Sequence, residues 1–262
     1  MSVVTSIAQT AARAQARNLL AVASGKGGVG KTWLSVTLSH ALAQRGQRVL
    51  LFDGDLGLAN VDIQLGLTPA KDLGTVMAGQ SGLREAITQF EEGGFDILAG
   101  KSGSGALATL SPQRLAELRD QMLQIARGYD LVVADLGAGI ESAVRTIAGA
   151  AGTLLVVATD EPTSLTDAYA LIKVMNGTTP GADIRVVINQ AANPSEGEKT
   201  YKTLLRACTN FLKITPPLAG IVRRDDRVKD SIRHQMPILT RHPGSNAASD
   251  VATLAGSLAK AP

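Results

Sequence analysis

The 262-residue chain is short of several things at once: it has one cysteine, one tryptophan, three tyrosines and four phenylalanines, and no long apolar run. The lone Cys208 excludes an intrachain disulfide framework, any CxxC zinc or redox motif, and a cluster held by several cysteines of one chain. A reducing cytoplasm is the expected home. No stretch reaches the roughly 20 apolar residues of a spanning helix, and the polar, Ala-rich beginning lacks the pattern of a secretory signal. A soluble, cytoplasmic chain is expected, with any membrane contact peripheral, at the inner face. Charge of one sign is also scarce. The 26 Lys+Arg are offset by 23 Asp+Glu spread along the chain, and a net charge of +3 does not announce a nucleic-acid binder.

What the chain does have is 45% apolar content, enough for one buried core, arranged in runs of strand length. These are LLAVAS (19–24), VLLFDGD (49–55), FDILAG (95–100), YDLVVADLGAG (129–139), TLLVVATDEP (153–162), IRVVINQ (184–190) and LAGIV (218–222). Continuous rather than alternating apolarity predicts strands covered on both faces. Helix-period segments lie between them. TWLSVTLSHALAQRGQ ends at Gly46, and in PTSLTDAYALIKVM Pro162 precedes a Ser164-to-Asp167 capping-box pattern. This alternation predicts an α/β fold, a doubly wound, mainly parallel sheet with helices on both faces and ligands at the C-terminal strand ends. One domain over 19–243 is expected, flanked by an N-terminal segment (1–18) and a C-terminal tail or helix (244–262) as the looser ends.

Residues 25–32, GKGGVGKT, satisfy G-x-x-x-x-G-K-[ST] between a strand and a helix, the setting a P-loop requires. Bare backbone at Gly27, Gly28, Val29 and Gly30 lets successive N–H groups converge on phosphate oxygens, and the helix N-terminus adds positive partial charge. Lys31 would reach the β- and γ-phosphates, and the Thr32 hydroxyl would bind Mg²⁺. Lys26 is surplus to such a site. It is either a solvated loop lysine or something more.

The stretch resembles the deviant Walker A motif of the MinD/ParA family, KGGVGKT, in which the early lysine crosses a dimer interface to the partner's nucleotide. That resemblance implies an ATPase with slow intrinsic turnover, ATP and Mg²⁺ as cofactors, a homodimer in the ATP state, and Lys26 acting in trans, much as an arginine finger does. Asp53-Gly54-Asp55, 22 and 24 residues past Lys31, matches the family's switch I pair. Asp55 is then the residue that positions the attacking water, and Asp53 supports the metal shell. Asp135, after LVVA, matches the Walker B acid that holds Mg²⁺ through water, with Gly137 to Gly139 as switch II. Strand-end carboxylates can instead be helix N-caps. Asn189 matches the family position that reads the adenine base, although such an Asn can also simply close a turn. Trp33, beside the phosphate turn where many relatives carry a small polar residue, can contact nucleotide or pack on the first helix.

Within the family the resemblance covers most of the chain and points to the flagellar-number regulators called FlhG, FleN or YlxH. It is carried by VLLFDGDLGLANVDIQLGL (49–67), VVADLGAGIES (132–142), EPTSLTDAYALIKVM (161–175) and RRDDRVKDSIRHQMPI (223–238). Division-site MinD has Pro where this chain has Gly137, ParA proteins continue switch I with Pro-Gln, and iron–sulfur carriers need paired cysteines. The implied role is a switch that regulates flagellar number or placement through protein partners, an FlhF-type GTPase or a flagellar transcription activator. The N-terminal AQTAARAQARN only loosely matches the family's GTPase-stimulating DQAxxLR motif. The tail SDVATLAGSLAKAP offers Val251, Leu254 and Leu258 with one cation, Lys260, a poor membrane anchor that reads equally as an ordinary terminal helix packed on the sheet, so weak or absent membrane binding is expected. The basic cluster Arg223, Arg224, Arg227, Lys229 and Arg233 is a solvated helix start or a surface for non-specific DNA. The rival readings are a ParA-like DNA-segregation ATPase, a MinD-like division-site ATPase and a small-molecule P-loop ligase.

Overall fold

The computed structural model describes residues 15–100 and 110–259. The chain begins with β1 (Ala16–Ser24), passes through the glycine loop into α1 (Lys31–Ala43), and returns along β2 (Val49–Gly54). Two short helices and two short strands follow: α2 (Val61–Leu65), α3 (Leu73–Met77), β3 (Ile87–Phe90) and β4 (Phe95–Leu98), with a single 3₁₀ turn on each side of β3. Then come α4 (Pro112–Ala126), β5 (Leu131–Ala138), α5 (Ser142–Ala148), β6 (Ala151–Ala158), α6 (Pro162–Thr178), β7 (Asp183–Ala191), α7 (Pro194–Ala207), β8 (Leu218–Arg223), α8 (Asp226–Arg233), α9 (Ile238–Arg241) and α10 (Asn246–Leu258).

The eight strands form one sheet in the order β3-β4-β2-β5-β1-β6-β7-β8. All neighbours are parallel except the edge pair β3–β4, which is antiparallel. The doubly wound, mainly parallel sheet expected from the sequence is therefore present. The β3 edge, ITQF, was not among the apolar runs: a four-residue edge strand with one covered face carries no continuous hydrophobic signal. Covered faces explain the other runs. Leu19, Leu50, Val132, Val156 and Val186 point to the layer of α4, α5 and α6, while Leu20, Leu51, Val133, Leu155 and Val187 point to the layer of α1 and α10.

Two expectations change. The tail after Pro243 is not a loose end over its described residues, since α10 packs against α1 and β8 and buries Val251, Leu254, Ala255 and Leu258, while Lys260 and most of the N-terminal segment lie outside the described residues. The apolar spacing in its sequence serves the core, and it also explains why α1 is buried on nearly every side, from Trp33 to Leu42, rather than amphipathic. Arg223 fastens this packing through two bonds from its guanidinium to Asp250 (2.8 and 2.7 Å) and a third from its backbone N–H (2.9 Å). It is thereby removed from the free basic cluster. The Ser164–Asp167 capping box is also not formed. Glu161 occupies the N-cap and Pro162 the first turn, while the Ser164 hydroxyl accepts the Thr159 N–H (3.0 Å) from outside the helix.

Candidate nucleotide site

The site lies where the sheet order reverses, at the C-terminal ends of β1, β2 and β5, the place an open α/β sheet offers to ligands. Gly28 and Gly30 take left-handed backbone (φ 80° and 85°) that a side chain would strain, and Gly30 caps α1. The loop is braced from three sides. Ser24 Oγ donates to the Lys26 carbonyl (2.7 Å), Gly139 N–H donates to the Ser24 carbonyl (2.9 Å), and Asn189 Nδ2 donates to the Val29 carbonyl (2.7 Å). A cavity of about 780 Å³ opens beside the loop, lined by Gly27, Gly28, Gly30, Lys31, Thr32 and Trp33 together with Asp55 and Gly137. A second cavity of about 480 Å³ adjoins it and shares Gly28, Gly30 and Trp33, adding Asn189, Gln190, Arg224 and Lys229.

Asp55 enters the larger cavity from the end of β2, its Oδ1 accepting the N–H groups of Gly57 (3.3 Å) and Leu58 (2.9 Å). A Cβ on Gly137 would stand 3.3 Å from that same oxygen, so the bare glycine gives Asp55 its room. Asp53 and Asp135 are directly opposite in the β2–β5 register and both fully buried. Asp53 is turned into the switch I loop, where Oδ1 accepts the Asp55 N–H (3.3 Å) and Oδ2 those of Asn60 and Val61 (both 3.1 Å). Burial, then the facing Asp135, push its carboxyl up to about 7, against the pull of those three N–H groups. Burial also raises Asp135, opposed by the Lys31 ammonium and the Thr32 and Ser35 hydroxyls. Its Oδ1 accepts from Ser35 (3.0 Å), and its Oδ2 is buried with no partner among the described residues.

Lys26 is not part of either cavity lining. Its ammonium is paired within the chain to Glu161 and donates to Thr163 Oγ1 (2.9 Å), at the start of α6. Trp33 lies on α1 as a buried wall between the two cavities, its Nε1 without a partner among the described residues. Asn189 is buried and committed on both sides, since its Oδ1 also accepts the Gln190 N–H (2.9 Å). The structure thus gathers Lys31, Thr32, Trp33, Asp55 and Asp135 with the glycines, and leaves Lys26 and Asp53 engaged elsewhere in this conformation. Sequence reasoning missed Ser35, Glu161 and Gln190. Ser35 stands one helical turn past Lys31, a spacing that puts the two on one face. The other two carry no local signal.

Oriented N–H groups, a buried lysine and an unpartnered buried carboxylate oxygen suit a polyphosphate carried with a divalent cation. Among the described residues no three His, Cys, Asp or Glu side chains are grouped to hold a metal alone. Magnesium needs no such cage, since it usually keeps several waters and takes one or two protein ligands plus phosphate oxygens. No described helix is long and apolar enough to cross a membrane.

Comparison with known proteins agrees with this geometry. The family described as the CobQ/CobB/MinD/ParA nucleotide binding domain matches residues 20–238. The antiactivator FleN of Pseudomonas aeruginosa is 40% identical over 229 residues, covering 87% of this chain and 81% of that protein. The flagellum site-determining protein YlxH of Helicobacter pylori is 30% identical over 243 residues, 91% of this chain and 81% of that one. In fold, the septum site-determining protein MinD of Pyrococcus horikoshii, solved with Mg-ADP, superposes with a TM-score of 0.77 at 24% identity, over 93% of this chain and 96% of that one. The strand order, the glycine loop opening α1 and the family match over most of the chain together make this protein a member of the MinD/ParA family of P-loop nucleotide-binding proteins.

Proposed function

We propose that the chain is an ATP-hydrolysing switch of the FlhG type that regulates flagellar number or placement. ATP closes a homodimer, the dimer engages an FlhF-type GTPase or a flagellar transcription activator, and slow hydrolysis resets it. What supports this most is the meeting of Lys31, Thr32 and Asp55 around one cavity, with Asp135 buried beside Lys31 and Thr32, in a chain 40% identical to an antiactivator, FleN.

The residues divide the work as follows. Backbone N–H groups of Gly27 to Gly30 and the Lys31 ammonium would hold the phosphates, and the Thr32 hydroxyl and Asp135 would hold Mg²⁺. When bound, the metal supplies charge neutralisation on the phosphate oxygens. Asp55 orients the attacking water. Asp53 holds switch I so that Asp55 faces the phosphates, and in the closed dimer supports the metal shell. Asn189 and Trp33 bound the side where the base lies. Lys26 leaves Glu161 and neutralises charge on the partner's nucleotide, which the isolated chain lacks. A carboxylate aligning water without that input leaves much transition-state charge unmet, hence slow turnover.

The test is the solution mass of Asp55→Ala by light scattering, with Mg-ATP and with Mg-ADP, beside the Lys26→Ala, Asp55→Ala double variant. A dimer with ATP only, lost without Lys26, is the expected result. Monomers throughout would remove the switch mechanism, and ATP-dependent, salt-sensitive retention on non-specific DNA would favour a ParA-like role instead.

A further inference from the structure

Ser35 lies on α1 one turn past Lys31 and is fully buried. Its hydroxyl sits 3.0 Å from Asp135 Oδ1 and 3.1 Å from the Lys31 carbonyl oxygen. A serine hydroxyl donates one hydrogen, and both neighbours are acceptors. An ionised carboxylate takes the stronger bond, so the hydrogen goes to Asp135 whenever that group is charged. The opposite oxygen, Oδ2, is buried and has no partner among the described residues.

We propose that Ser35 is a positioning residue for the magnesium site: by donating to Asp135 Oδ1 it fixes the carboxylate and leaves Oδ2 as the free acceptor for water on the metal of Mg-ATP. This rests on the nucleotide reading above. The torsion that turns a carboxylate is broad, so a buried one is oriented by the donors that stay with it, and Ser35 holds Oδ1 at 3.0 Å. Lys31 and Thr32 also surround Asp135, but both line the phosphate cavity and are taken up by the nucleotide. Ser35 lines neither cavity, so its bond to Asp135 does not compete with a ligand in them.

A mid-helix serine often bonds back to the carbonyl four residues earlier and does nothing more. Ser39 is that case in the same helix, since its hydroxyl donates to the Ser35 carbonyl (2.8 Å) and touches no carboxylate. It is equally buried, which makes it the internal control.

The experiment measures ATP affinity of the full chain by calorimetry, first in EDTA and then across a magnesium titration. Ser35→Ala is expected to need about tenfold more Mg²⁺ to reach its tight-binding state, the usual loss when a residue that orients a metal ligand is removed, with its affinity in EDTA unchanged. Ser39→Ala should follow the wild type in both. Ser35→Cys keeps the shape and weakens the donor, and carries the same expectation if Ser35→Ala does not fold. A wild-type magnesium requirement in the folded Ser35 variants, or an equal rise in Ser39→Ala, would overturn the assignment. If the wild-type chain binds no ATP with or without Mg²⁺, the nucleotide reading falls first.

Discussion

Asn189 offers the sharpest separation between two roles for one side chain. If it only reads a base, removing it weakens nucleotide binding and leaves the empty protein untouched. The structure gives it a second task, because Nδ2 donates to the Val29 carbonyl (2.7 Å) and Oδ1 accepts the Gln190 N–H (2.9 Å) at a site 3% exposed. Asn189→Ala leaves the Val29 carbonyl without its donor, and a buried polar group left unpaired costs about 1–3 kcal/mol. Gln190 is half-buried, so water restores part of its bond. A total near 2–3 kcal/mol follows, which for a domain of this size lowers the melting temperature by about 4–12 °C. The assay is thermal unfolding followed by circular dichroism, in EDTA and without nucleotide, so that no ligand contributes. Asn189→Asp keeps the acceptor, loses the donor and sets a carboxylate oxygen against a carbonyl, so it should be at least as damaging. Gly30 supplies a cross-check: its added Cβ would lie 2.5 Å from Asn189 Nδ2, and its φ is 85°. Gly30→Ala should therefore be less harmful in the Asn189→Ala background, where only the backbone strain remains. A melting temperature within a degree of wild type for Asn189→Ala, with ATP affinity reduced, would refute the bracing role and leave base recognition alone.

Two further outcomes follow from charge. Glu161→Gln removes the carboxylate that holds Lys26 within its own chain and should tighten the ATP-dependent dimer of the Asp55→Ala variant severalfold, as expected for an exposed pair, with the gain shrinking at high salt; sedimentation at two ionic strengths reads this, and a weaker dimer would mean that Glu161 belongs to the closed interface. In the nucleotide-free protein, Asp53 holds its proton more tightly folded than unfolded, since its carboxyl is raised from 3.8 to about 7, so its effect is to lower stability as pH rises through that interval. The upper bound is about 4 kcal/mol. Asp130, held down to about 2 by Arg48, has already finished titrating below this window, while burial lowers His40 and so acts in the opposite direction. Asp135, also raised by burial and facing Asp53, acts in the same direction, so the comparison of wild type with Asp53→Asn between pH 5 and 8, by thermal unfolding in EDTA, reads the buried pair. The wild type should lose stability relative to the variant as pH rises, and parallel curves would remove the buried-acid argument.

The parts of the site that were legible in the sequence are those fixed by local chemistry. Eight residues from Gly25 to Thr32 specify a phosphate loop because left-handed glycines, a lysine and a hydroxyl at that spacing serve little else. The strands were legible because both their faces are covered, and β3 escaped because an edge strand has no such signature. What could not be read is pairing across distance. The register that sets Asp53 opposite Asp135 joins residues 82 apart through β2 and β5, and the Lys26–Glu161 ion pair spans 135 residues. The same limit left the tail open between two readings. Val251, Leu254 and Leu258 define an apolar stripe equally fit for a lipid surface or for α1, and Asp250 holding Arg223 at the end of β8 helps fix which face they meet. That clamp bears on function as well. Arg224, Asp225 and Lys229 line the smaller cavity, and Asp225 caps α8 while accepting the Asn246 N–H that opens α10 (3.0 Å). The wall of the smaller cavity is thereby built on the C-terminal helix, so a truncation meant to release a membrane anchor would instead loosen that cavity.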